Sequence, residues 1–156
     1  MTKLLLSVHV LAAILAVGSI AVAASMFPRY ALQACGDDPN GRAAAIAALL
    51  HRVCRGYAVA GLAVPGFGLV TGAALGVLTD AWLIVSLVLT VIAAGVLALA
   101  VLPDQQRLLG TAGGPSAGET ARPMATRLSM VTGIFNLLWA IVVVLMIVRP
   151  GSTTGA

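Results

Sequence analysis

Four long apolar stretches take up most of the chain, and the polar and turn-forming residues collect between them. Residues 4–27 form the first, which is long enough to cross a hydrocarbon core of ~30 Å, a distance that takes about 20 helical residues. The others cover about 56–78, 81–102 and 126–148. In the short connection Leu78-Thr79-Asp80, Thr79 or Asp80 is placed to cap the third helix. Pro103 stops that helix, and Arg149-Pro150 stops the fourth. In lipid every backbone polar group must be satisfied within the protein. The pattern therefore predicts an all-α, polytopic membrane protein, a single domain over 1–156 built as a bundle of four transmembrane helices.

The intervals have characters of their own. Cys35-Gly36-Asp37-Asp38-Pro39-Asn40 reads as a turn. Over 42–55, Ile46, Leu49, Leu50, Val53 and Tyr57 fall on one arc at helical spacing, with His51, Arg52 and Arg55 on the other. This predicts a basic amphipathic helix lying along the membrane surface before the second span, its Arg42, Arg52 and Arg55 acting as lipid-facing anchors. Residues 104–125, rich in Gly, Ala, Ser, Thr and Pro, predict a flexible linker.

Within the second span, Gly68, Gly72 and Gly76 recur every four residues and present a bare stripe that another backbone can approach. The row Ser86, Thr90, Ala94 and Ala98 on the third span is the expected partner, so Gly72→Ile should push the helices apart. Pro65 predicts a kink that frees a carbonyl near Gly61. Asn136, near mid-membrane, is expected to hold helices together. Trp82 and Arg149 are placed as interface anchors.

Composition agrees with this reading, since 60% hydrophobic and 9% charged residues lie outside soluble norms. The +4 net charge is read against a bilayer, and no alternation of aromatic and basic residues points to nucleic acid. Arg29, Arg42, Arg52, Arg55, Arg107, Arg122 and Arg127 flank the first and third loops, while Lys3 and Arg149 lie on the other side. That places the loops in the cytoplasm and both termini outside, in a multi-pass protein of the cell membrane, inner or plasma. Cys35 and Cys54 are then free thiols in a reducing compartment. Residues 4–27 also admit a signal-peptide reading, with Lys3 ahead of the run and Ala21-Val22-Ala23 as a cleavage form. The length of the run and the arginines after it favour a retained helix.

Candidate chemistry is sparse. No Asp or Glu falls within a predicted span, so a proton relay or cation pump has no carboxylate to load. There is no nucleophile with His and acid partners, no His-Glu-x-x-His and no phosphate loop, so no catalytic or metal-binding residue is assigned. His9 is the ionisable group well inside a span. It is expected to hydrogen-bond across the bundle near Ser86 or Thr90, with haem ligation as the alternative. His51 would sit roughly 25 Å away in depth, too far for both to hold one iron.

Val8-His9-Val10-Leu11-Ala12-Ala13 with Phe27-Pro28-Arg29, Leu50-His51-Arg52-Val53-Cys54-Arg55 and Phe135-Asn136-Leu137-Leu138-Trp139 resembles small four-helix membrane proteins of unknown function from high-GC Gram-positive bacteria. A lesser likeness is to membrane haem proteins of the copper-resistance D and protoporphyrinogen-oxidase types, whose first helix also carries a histidine before a Pro-Arg pair. The further histidines of those families are missing here. The expectation is a non-enzymatic accessory subunit or scaffold that acts through helix packing, without a cofactor and with the bilayer, another membrane protein or a second copy as partner. The alternative is a haem- or quinone-associated redox protein using His9.

Overall fold

The computed structural model describes residues 2–36, 38, 40–112 and 117–150. The helices are α1 (Thr2–Ala34), α2 (Arg42–Gly61), α3 (Ala63–Leu75), α4 (Ala81–Val96), α5 (Leu102–Thr111) and α6 (Ala117–Val148), and Leu97–Val101 between α4 and α5 winds as a π-helix. Because α2 runs on into α3, and α4 passes through the π segment into α5, the chain forms four rods, each long and apolar enough to cross a membrane. This is the predicted all-α four-helix bundle. The end of α1, the start of α2, the end of α5 and the start of α6 mark one end, and the start of α1, the end of α6 and connection 76–80 mark the other.

The rods are longer than a bilayer requires. α1 has 33 residues and α6 has 32, which is about 50 Å each against a ~30 Å core. The excess comes from helices continuing where the sequence predicted an end. α1 passes through Pro28 to Ala34, and α6 begins at Ala117 and passes through Pro123 rather than starting near 126. Pro103 does not stop the third rod either. A proline ring clashes with the carbonyl four residues back, here that of Leu99, and the widened π turn over Leu97–Val101 opens the helix at that point.

The expected linker is therefore corrected. Residues 104–111 and 117–125 are helical, with Asp104, Gln105, Leu108, Ala117, Ala121 and Ala125 buried, and 113–116 lie outside the described residues. Asp37, Pro39 and the side chain of Lys3 also lie outside them. In the turn, Asp38 Oδ2 accepts from the Ala44 amide at 3.1 Å and so caps the start of α2.

The amphipathic segment is corrected as well. It is the first two-thirds of α2, packed on α1, and its buried face is Ala43, Ala47, His51 and Cys54. Leu49 and Tyr57 face outward with Arg42, Arg52 and Arg55. In an apolar solvent large side chains lose nothing by facing out, and small ones let helices approach.

The core occupies the arginine-rich half. Phe27, Ala24 and Ala31 of α1 meet Ala47 and Cys54 of α2, Val101 and Leu108 of the third rod, and Ala121, Leu128 and Phe135 of α6. The glycine stripe is not its centre. Gly76, at φ 71, is the left-handed residue that ends α3, with the Gly76 amide on Ala73 O and the Val77 amide on Gly72 O. Of the expected partner row, Ser86 and Thr90 are buried, but Ala94 and Ala98 are exposed. The break between α2 and α3 at Leu62 lies three residues ahead of Pro65, as the proline requires.

Candidate functional site

Two polar regions lie at opposite ends of the bundle. At the arginine-rich end α5 presents Asp104 and Gln105 to its neighbours, both buried. Gln105 Oε1 can only accept, so His51 Nδ1–H is the donor in their 2.8 Å contact, and Gln105 Nε2 in turn donates to Cys54 Sγ at 3.5 Å. Asp104 Oδ1 accepts from Arg107 Nη1 at 3.1 Å, and Oδ2 lies 3.6 Å from Arg127 Nε on α6. The Thr111 hydroxyl donates to Leu108 O, leaving the Cys35 thiol to donate to it at 3.5 Å. These contacts tie α2, α5, α6 and the end of α1 together. Cys35 and Cys54 are both free thiols.

Asp104 and Gln105 are the residues that sequence reasoning missed. Ending the third helix at Pro103 put them in a loop, whereas continuous helix carries Asp104, Gln105 and Leu108 inward at helical spacing. A buried carboxylate is thus present on the third rod, although it is held by two arginines whose side chains are 62% and 61% exposed.

At the other end the four rods diverge around a cavity of about 880 Å³. α1 contributes Leu6 to Gly18, α3 Val64 to Leu75, α4 Trp82 to Thr90, and α6 Trp139 to Val148 with Arg149 beyond it. The lining is apolar apart from His9, Thr71, Thr90 and Arg149, with the two tryptophans at different depths. Thr71 and Thr90 donate to Phe67 O and Ser86 O of their own helices, each at 2.7 Å, and Ser86 donates to Trp82 O at 2.8 Å. Such bonds satisfy a hydroxyl without linking helices.

His9 therefore does not reach Ser86 or Thr90 as expected. Its Nδ1–H donates to the Val64 carbonyl at 3.0 Å, so the cross-helix bond arrives just before Pro65 rather than at Gly61. A neutral ring then has Nε2 left as acceptor. Gly68 makes room for the ring: a Cβ there would stand 3.0 Å from His9 Cε1. At Gly72 a Cβ would meet the tips of Leu83 and Leu78, at 3.0 and 3.3 Å, and no backbone. The stripe accommodates side chains and not a second helix axis.

Three polar atoms on one face of α6, Thr132 Oγ1, Asn136 Oδ1 and Trp139 Nε1, are buried without a hydrogen-bond partner among the described residues. Asn136 does link helices, its Nδ2 donating to Ser25 Oγ of α1 at 3.2 Å. At the rim Arg149 has φ 46, a left-handed backbone uncommon outside glycine. Its guanidinium stands 5.6 Å over the Trp82 ring, whose Nε1–H donates to Asp80 Oδ2 at 3.1 Å. Asp80 thus begins α4 without capping it through its side chain. Among the described residues no three of His, Cys, Asp and Glu gather as a metal site would need. Compared with known proteins, the chain matches no family model, no curated protein and no solved structure.

Proposed function

We propose that the chain is a small multi-pass protein of the cell membrane, inner or plasma, that acts without catalysis as an accessory subunit or scaffold. One observation carries this reading: the rods turn large apolar side chains outward, with Leu99 82%, Ile147 75% and Val59 72% exposed, and keep alanine inside. That arrangement suits lipid and would be costly in water. The seven arginines at the densely packed end favour the cytoplasm for it, with both termini outside. An outward groove of about 400 Å³ on α2, lined by Arg52, Val53, Gly56, Tyr57 and Ala60, supports action through packing, with another membrane helix or a second copy as partner. The likeness to small four-helix proteins of high-GC Gram-positive bacteria belongs to this proposal.

Labelling tests the orientation. In a variant lacking native cysteines, Ala112→Cys should react with a membrane-impermeant maleimide only after the cytoplasmic face is opened, and labelling of intact cells would reverse the topology. Gly56→Ile should weaken association measured by energy transfer between tagged copies or partners.

His9 favours a second reading, because its ring lies on the wall of an apolar cavity with Nδ1 already committed to Val64. A haem between two histidines does not fit, since His51 is held by Gln105 at the opposite end. His9 would be the residue to hold a quinone or a haem with one histidine, which would supply electron transfer. A visible spectrum decides the haem case: a Soret band at one per chain establishes it.

A further inference from the structure

We propose that the terminal-end cavity is a lipid site, holding one acyl chain of an anionic phospholipid from the outer leaflet with its headgroup at Arg149. The inference rests on the membrane reading above. Its size agrees, since about 880 Å³ lies in the range of ~300–1,000 Å³ typical of pockets for small ligands. So does its depth. From Arg149 at the rim to Trp139 is ten residues of α6, about 15 Å, or half of a ~30 Å hydrocarbon core. A chain entering from one leaflet would be covered along its length by apolar side chains from all four rods.

The charge at the rim selects the headgroup. Arg149 takes part in no ion pair among the described residues, and the carboxylate that shares Trp82 with it, Asp80, is engaged by the indole N–H. The left-handed backbone at Arg149 turns the chain where α6 ends. Its Nε reaches back to Met146 O at 3.4 Å, which keeps the guanidinium beside the opening. A guanidinium stacked on an aromatic ring still offers donors to a phosphate.

Both tryptophans of the chain line this cavity, so they report on its contents. The protein is reconstituted in phosphatidylcholine vesicles and titrated with phosphatidylglycerol bearing a doxyl-labelled acyl chain, or with phosphatidylcholine bearing the same label. Expected is saturable quenching of tryptophan fluorescence by the anionic probe and only a linear rise with the zwitterionic one. Arg149→Gln should raise the half-saturating mole fraction about tenfold, the usual size of losing one charge-assisted contact. Arg149→Lys should recover part of it. Gly18→Leu, at a cavity-lining glycine with open space around it, should abolish saturation while the protein stays folded. Identical titrations for the two probes, or an Arg149→Gln curve matching the parent, would overturn the proposal. So would cross-linked dimers without saturable quenching, which would mean that a second copy fills the space. Resistance to alkaline carbonate extraction separates the outcomes: if the protein stays in the membrane without saturable quenching, the lipid site falls and the membrane reading stands.

Discussion

The arginine-rich half of the bundle and its terminal half use the same apolar alphabet, yet one closes and the other stays open. In the closed half, buried alanines four residues apart on α2 and α6 and seven apart on α1 bring the helices together, and Phe27, Leu128 and Phe135 fill what remains. In the open half, the break at Leu62 and the early end of α3 at Gly76 leave α3 with little contact to α4. β-branched and leucine side chains then line a space they do not fill. Polar groups divide in the same way with His9 as the exception: His51, Gln105 and Asp104 link rods, Ser86, Thr90 and Thr71 bond within their own helices, and His9 crosses to Val64. Close packing in such a bundle thus depends on where small residues recur along continuous helices, and apolar content alone does not produce it.

The contrast is most directly broken by truncation. Phe27→Ala, at a fully buried side chain, should cost about 3 kcal/mol or more, whereas Val143→Ala on the cavity wall should cost under about 1 kcal/mol. Reversible unfolding in mixed micelles measures both, and equal losses would mean that the halves do not differ in packing. Next in size, His51→Leu leaves Gln105 Oε1 buried without its donor, a loss of about 1–3 kcal/mol. Adding Gln105→Leu should then cost less than its effect alone, because the pair acts as a unit. In the open half, His9→Leu should cost roughly 0.6–2 kcal/mol, with His9→Gln close to the parent. Gly68→Ala should cost about 1 kcal/mol by crowding His9, and that cost should vanish when residue 9 is alanine. The smallest effect is expected at Gly72→Ala, where two leucine tips can swing aside, leaving stability within about 0.5 kcal/mol.

Much of the fold could be read from the sequence, because four runs of about 20 apolar residues leave few alternatives. The extent of the helices could not. Residues 104–125 look like linker by composition, but Ala117, Ala121, Ala125 and Leu128 already carry the spacing of a buried face. For 42–55 the apolar-in, polar-out rule of water misleads: it is Ala47, His51 and Cys54 that turn inward, a pattern that suits helices packed in an apolar solvent. Of the candidate site, His9, Trp82 and Arg149 were legible as individual residues. That they border one cavity depends on the divergence of four rods, which no local pattern encodes.

The π turn at Leu97–Val101 also sets the phase of everything after it. A helix carrying one surplus residue per such turn is out of step by about 100° on its far side relative to an uninterrupted helix. Deleting a single residue from this segment would leave the composition and length of the span almost unchanged. It would nonetheless rotate Asp104 and Gln105 away from Arg127 and His51, unfastening the closed half. Any relative of this chain that lacks the turn must therefore place its polar clamp one position earlier, and comparing the two by uninterrupted alignment through residue 101 would pair the wrong faces.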